Sequence, residues 1–289
     1  MVPERRLALS LQMSDTSLRP VDLLLLGYLG VVSIVAMVRL GNQPATWWLL
    51  LAHGLFFLLL VLFTQAPHGR AGRIVREIYP VLMLLALYAE LDILASGGSI
   101  RVYDHLVQRW ELLIFGSQIS REWWQAAPSR FWSSLLHAAY LSYYFIVSVP
   151  ALLFAWRGNL AAARRFVLVV MTTFVFCYLV FLFFPVAGPY YTFPRPPSWF
   201  TDNLPARLVY QALAEGSSYG AAFPSSHVAA ALAATITAAR VSPRMATVLL
   251  IPTLLLTVGV VYCQMHYGVD ALTGLLVGAA VAWVFRGER

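Results

Sequence analysis

A chain of 289 residues that is 60% hydrophobic and only 11% charged is not an ordinary soluble domain, in which about a quarter of the residues are charged. All 20 basic residues are arginine and the formal net charge is +7. In so apolar a chain that excess reads as arginine set between membrane spans on the cytoplasmic side, not as a nucleic-acid surface.

In chain order, residues 1–20 carry Arg5, Arg6 and Arg19 but no apolar core, and they read as a cytoplasmic tail. The first apolar run, 21–40, is too long for the core of a signal peptide and reads as a retained span. Further runs near 46–65, 77–96, 132–156, 165–186, 223–240, 245–264 and 267–285 bring the expected number of helices to about eight, each about 20 residues long. The expected fold is an all-α polytopic membrane protein. Residues 21–76 supply two additional N-terminal helices and residues 77–289 a six-helix core. The connections at Arg70, Arg73 and Arg76, at Arg157, Arg164 and Arg165, and at Arg240 and Arg244 are short and basic. They fall on one side with both termini, which the positive-inside rule makes cytoplasmic. Cys177 and Cys263 lie in or at the end of apolar stretches with no metal-type spacing, and are expected as free, buried thiols.

Two longer connections face the other side. Residues 97–131 alternate aromatic, leucine and charged residues like a helix lying in the interface, with Trp110, Trp123 and Trp124 at headgroup depth. Asp104 and Glu111 there read as solvated or capping residues. Residues 187–222, rich in proline, glycine and tyrosine, form a loop long enough to be functional or disordered.

The chemistry gathers at the outer helix ends. In Phe223-Pro224-Ser225-Ser226-His227, the proline suits a first helical turn, whose free N–H groups attract anions. The serine hydroxyls add donors, and His227 can exchange a proton near neutral pH. A capped helix with a quietly packed histidine is the structural alternative. In Gln264-Met265-His266-Tyr267-Gly268-Val269-Asp270, His266 and Asp270 are four apart and share a helical face. The carboxylate can fix the imidazole tautomer and leave the other nitrogen as a nucleophile; a structural hydrogen bond is the alternative. Ionisable residues inside membrane spans favour function. The topology puts both histidines on the outer face, a pairing suited to phosphoryl transfer in which one attacks phosphorus and the other protonates the leaving oxygen.

PSSH followed by HYGVD resembles the type-2 phosphatidic acid phosphatase superfamily, whose second and third signatures are PSGH and SRxxxxxHxxxD. The resemblance spans roughly residues 77–289. It implies a metal-independent enzyme without cofactors that acts on a lipid phosphate or phosphodiester at the external face. It also implies His266 as nucleophile, Asp270 as its orienting partner, His227 as general acid/base and Ser226 in the phosphate pocket, where the helix start already makes Ser225 a candidate. The SR pair falls at Gly259-Val260. The first signature, KxxxxxxRP, finds Arg195-Pro196 but has Gly188 at its lysine. The HYxxDxxxG form and the AGPYY stretch are similar to inositol phosphorylceramide and sphingomyelin synthases and to bacterial proteins of that branch. Transfer to a lipid or polyol acceptor and a bacterial inner-membrane location follow from that similarity. Arg195 and Arg207 are candidates to replace the missing cations. Tyr190, Tyr191 and His137 are further candidates for the substrate site, and Glu90 and Asp92 for a headgroup pocket. A non-catalytic lipid transporter or scaffold on the same fold is the competing reading.

Overall fold

The computed structural model describes residues 18–41, 43–65, 69–96, 100–216 and 219–287. Arg5 and Arg6, which entered the topological argument, lie outside the described residues. The chain divides into two compact units, Met1–Arg76 and Glu77–Arg289. Among the described residues it is helical, apart from one isolated parallel bridge between Val186 and Ala221. Six helical segments are long and apolar enough to cross a membrane: Pro20–Arg39, Arg70–Ala95, Arg130–Trp156, Leu160–Phe183, Pro243–Tyr262 and Gly268–Gly287. This is an all-α polytopic membrane protein. The other two of the eight expected runs also form apolar helices, Thr46–Gln65 of 20 residues and Ser226–Ala239 of 14.

In the first unit, α1 (Pro20–Arg39) starts at a proline in its first turn, and Arg19 N donates to Asp22 Oδ2 at 2.8 Å. Helix α2 is Thr46–Gln65.

The chain enters the second unit within α3 (Arg70–Leu82), which is followed by α4 (Leu84–Ser96). Pro80, which cannot donate a backbone hydrogen bond, shortly precedes the interruption at Met83. The first long connection contains α5 (Asp104–Phe115) and α6 (Ile119–Ala126). Next, α7 (Arg130–Leu141) and α8 (Tyr143–Trp156) form one span with a joint at Ser142. There Ser142 Oγ donates back to Ala139 O at 2.6 Å, and Ser142 N is shared between Ala138 O and Ala139 O. Such back-bonding competes with the regular helical ladder and tightens it locally. Helix α9 (Leu160–Phe183), capped by Asn159, runs through the core with Phe166, Val170, Phe174 and Cys177 buried. The second long connection is not wholly irregular. It holds α10 (Pro189–Thr192), α11 (Ser198–Thr201) and α12 (Leu204–Gly216). Helices α13 (Ser226–Ala239), α14 (Pro243–Tyr262) and α15 (Gly268–Val284) complete the core. Both cysteines are free and buried.

Helix α13 is short because its sequence sets both ends. Ser225 caps the start, its Oγ accepting from Val228 N, and the chain turns at Arg240. Its alanines 229, 230, 231, 233 and 234 are wholly buried, which lets α15 come very close. A Cβ on Gly278 would sit 2.3 Å from Ala229 O, and one on Gly274 2.6 Å from Ser225 O. This is the small-residue packing by which membrane helices gain dispersion contacts. We expect Gly278→Val to destabilise the protein by about 2–3 kcal/mol through overpacking, read as a fall in its thermal midpoint in detergent. Gly27→Val in α1, where no atom lies within 4 Å of the added Cβ, is the control. Equal midpoints for the two variants would refute the close-contact argument.

Candidate active site

Three backbone devices bring the candidate residues together. The chain leaves α14 through Gln264, held in the left-handed region at φ 60, a conformation uncommon for a non-glycine residue. Met265 N and His266 N both bond back to Val260 O, at 2.9 and 2.8 Å, so the loop folds over the end of α14 and presents His266. Second, Ser225 N donates to Asp270 O at 3.0 Å, joining the start of α13 to the first turn of α15. Third, Val186 N→Gly220 O and Ala222 N→Val186 O, both 2.9 Å, align the stretch that leads into Ser225 with the one that leads into the AGPYY segment.

His266 Nδ1 lies 2.9 Å from Ala222 O and 3.4 Å from Asp270 Oδ2. A proton on Nδ1 therefore donates to the carbonyl with the carboxylate close by, and the lone pair is left on Nε2. Asp270 is wholly buried and accepts Tyr267 N through Oδ2 at 2.8 Å. The His227 ring lies 5.8 Å from that of His266, centre to centre. Its own Nδ1 is buried with no hydrogen-bond partner among the described residues. Both histidines line a chamber of about 40 Å³ together with Tyr88, Tyr140, Tyr190 and Tyr191. That exceeds the roughly 10–15 Å³ needed by one water. His227 and Tyr140 also line a larger, mainly apolar cleft of about 240 Å³ that reaches Leu85, Val147 and Phe174.

The supporting residues come largely from the two long connections. Asp104 accepts Ala187 N and Gly188 N, each at 2.8 Å, and Tyr267 Oη at 2.9 Å. Burial first, and then the neighbouring Asp104 charge, push the Tyr267 phenol upward, so it stays a donor. Glu111 accepts Ser120 N at 2.9 Å. Its burial raises the carboxyl above the usual carboxylate range, against the opposing pull of Ser120 and of the backbone N–H groups of Gly268 and Val269. Of the two readings for Asp104 and Glu111, solvated or capping, the solvated one does not hold, and Glu111 accepts from first-turn N–H groups as a cap does. Both are buried and work as backbone anchors, Asp104 for the AGPYY segment and Glu111 beside the first turn of α15.

The remaining candidates divide. Tyr190 and Tyr191 line the chamber. Ser226 lines the adjoining cleft, and Ser225 is spent as the α13 cap. Arg195 is exposed and lies over the Tyr190 ring, 4.6 Å from its centre, one side chain away from the chamber. Gln264 Nε2 donates to Pro194 O at 3.1 Å and ties that segment to the His266 loop. Arg207 does not line the chamber. It is exposed and paired with Asp202, whose carboxyl its hydrogen bond holds below the usual range. His137 does not reach the chamber either. Its Nδ1 lies 2.7 Å from Ser133 O and 3.4 Å from Cys263 Sγ, and its ring packs beside Phe200 and Tyr210; the fold uses it as a buried packing residue. Glu90 is buried but does not line the chamber. Sequence reasoning missed Tyr88, Tyr140 and Tyr143. The only available signal was the i, i+3 spacing of Tyr140 and Tyr143 across Ser142.

The two positions where the phosphatase signatures carry cations are sterically closed. Gly188 has φ +93, and a Cβ there would meet the Ala222 Cβ at 2.9 Å. Gly259 backs onto Leu136, whose carbonyl oxygen would lie 3.0 Å from an added Cβ, and Val260 is wholly buried.

Fold and site together define a polytopic membrane protein with a two-histidine chamber at one end of its core helices. A profile of the PAP2 superfamily matches residues 105–284, more than half of the chain, and the protein belongs to that superfamily. No curated protein and no solved structure matches it.

Proposed function

We propose that this protein is a metal-independent lipid phosphatase or phospho-headgroup transferase that works through a phosphohistidine on His266 at the external membrane face. Membership of the PAP2 superfamily is consistent with lipid phosphatase-type activity. The observation that carries the finer reading is the pairing of His227 and His266, ring centres 5.8 Å apart beside one chamber, with Nδ1 of His266 already engaged.

In the first step His266 Nε2 attacks phosphorus. The P–N bond forms as the bond to the lipid oxygen breaks, and His227 gives its proton to that oxygen. In the second, water or an alcohol attacks the phosphohistidine, His227 takes back a proton, and the P–N electron pair returns to Nε2. The first-turn N–H groups of α13, the Ser226 hydroxyl, Tyr190, Tyr191 and Arg195 are the proposed phosphate contacts. Arg195 replaces a missing clamp cation by leaving the face of Tyr190. The external assignment rests on Arg157, Arg164, Arg165, Arg240 and Arg244, which sit at the opposite ends of the spans from His227 and His266. Water as acceptor makes the protein a phosphatase, and a lipid or polyol hydroxyl makes it a synthase, the branch that HYxxDxxxG resembles. The closed clamp positions at Gly188 and Val260 favour one other reading, a non-catalytic lipid carrier on the same fold.

Purified protein in liposomes with EDTA, given a panel of lipid phosphates and phosphodiesters, separates these readings. Phosphate release marks hydrolysis, and a new phospholipid without release marks transfer. Label from a ³²P-lipid that stays on the denatured protein at alkaline pH and is lost in acid marks the phosphohistidine. A protein that turns over none of the panel is a carrier.

A further inference from the structure

The two histidines of the chamber are held in different ways. His266 has a carbonyl and a carboxylate at Nδ1. His227 has neither, and its Nδ1 is buried without a partner among the described residues. What surrounds its imidazole is aromatic. The Tyr140 ring lies 4.7 Å away at an interplanar angle of 31°, and the Tyr143 ring 4.5 Å away at 62°. The two tyrosines stand on either side of the Ser142 joint, where the back-bonded serine interrupts the span. Tyr143 is supported in turn by Phe174, at 6.1 Å. The titratable groups that line the chamber and the cleft with His227 are His266, with Asp270 behind it, and tyrosine phenols, among them Tyr140, Tyr143, Tyr190 and Tyr191. The two cavities that His227 lines contain no carboxylate.

We propose that Tyr140 and Tyr143 are positioning residues for His227: their rings fix the imidazole and stabilise its protonated form through their π faces, so that it can hand a proton to the leaving oxygen. A ring face within about 6 Å of a cation attracts it, most strongly where water is excluded. A general acid needs such help when no carboxylate is available to balance its charge. The rings exchange no atoms with the substrate; the proton travels from His227 to oxygen as the P–O bond breaks. The inference rests on the phosphoryl-transfer reading and assigns it two residues.

Leaving-group dependence tests it. An alkoxide must be protonated as it leaves, whereas p-nitrophenolate leaves unaided, so loss of general acid catalysis shows mainly with the poor leaving group. Dioctanoyl phosphatidic acid is compared with p-nitrophenyl phosphate, and dioctanoyl phosphatidylglycerol with bis(p-nitrophenyl) phosphate, in one detergent. Tyr140→Leu and Tyr143→Leu are each expected to lower kcat for the lipid about tenfold, the effect of losing one such ring contact. The nitrophenyl ester should change less than about threefold. Tyr140→Phe and Tyr143→Phe, which keep the ring faces, should stay within about twofold on all four substrates. Parallel losses on lipid and nitrophenyl esters would make the tyrosines merely structural and overturn the inference. So would an unaffected leucine variant, or phenylalanine variants as impaired as the leucine ones. A wild-type protein inert toward all four substrates removes the phosphoryl-transfer reading itself, an outcome distinct from the other three.

Discussion

His266→Ala is expected to lower turnover of the best lipid substrate by at least about 10⁴-fold, because the variant loses the atom that bonds to phosphorus. Asp270→Asn should cost less, about 10²-fold. A catalytic histidine whose only support is a carboxylate loses more when that support becomes an amide, since the tautomer is then wrong. In this protein Ala222 O also accepts from Nδ1, at 2.9 Å against 3.4 Å for Asp270 Oδ2. The carbonyl keeps the tautomer, and the carboxylate contributes mainly charge balance as His266 takes on phosphorus. The asparagine oxygen can still accept Tyr267 N, as Asp270 Oδ2 does at 2.8 Å, so the first turn of α15 survives. Phosphate release and lipid products followed with EDTA present, together with thermal midpoints, check the ranking. An Asp270→Asn variant as inactive as His266→Ala would show that Ala222 O cannot hold the tautomer by itself. Undiminished turnover in His266→Ala would eliminate the phosphohistidine.

The candidates His227, His266 and Asp270 stand out in the sequence for a physical reason. Ionisable side chains in apolar helices are expensive to bury, so they stand out, and arginine placement fixes which helix ends share a side. The fold class was legible on the same grounds. Tyr140 and Tyr143 were not, because an aromatic residue in a membrane span is ordinary until its neighbour is known. Their role depends on α7, α8 and α13 meeting at one point, a tertiary fact with no periodic trace. Asp104 and Glu111 misled in the opposite direction. Charged residues in an amphipathic stretch look solvated, and only the fold reveals that backbone N–H groups of distant segments need them as acceptors. One of the eight helices is shorter than its apolar run, because hydrophobic length ignores caps. Ser225 and Arg240 stop α13 after 14 residues, inside a run that composition alone extends.

Introducing the signature lysine at Gly188 is expected to lower activity about 10²-fold and not to improve it. By sequence logic alone, Gly188→Lys completes KxxxxxxRP with Arg195-Pro196 and should strengthen phosphate binding. The backbone forbids it. Gly188 sits at φ +93, where a side chain is strained by about 1–3 kcal/mol, and its Cβ would press on the Ala222 Cβ at 2.9 Å. Ala222 is also the residue whose carbonyl holds His266 Nδ1. Gly188 N is pinned to Asp104 Oδ1 at 2.8 Å, so the glycine cannot yield without giving up that anchor. The displacement therefore passes to Ala222 and from there to the nucleophile, and a shift on the order of 1 Å at a catalytic group can lower the rate about 10²-fold. Gly188→Ala separates charge from backbone. It introduces the same Cβ without a cation, and should lose activity to a similar extent, about 10²-fold, with KM changed far less than kcat. If Gly188→Lys instead lowers KM while kcat holds, the position accepts a side chain and the phosphate lies within its reach. The closed backbone at Gly188 would then not be the reason this chain lacks the lysine.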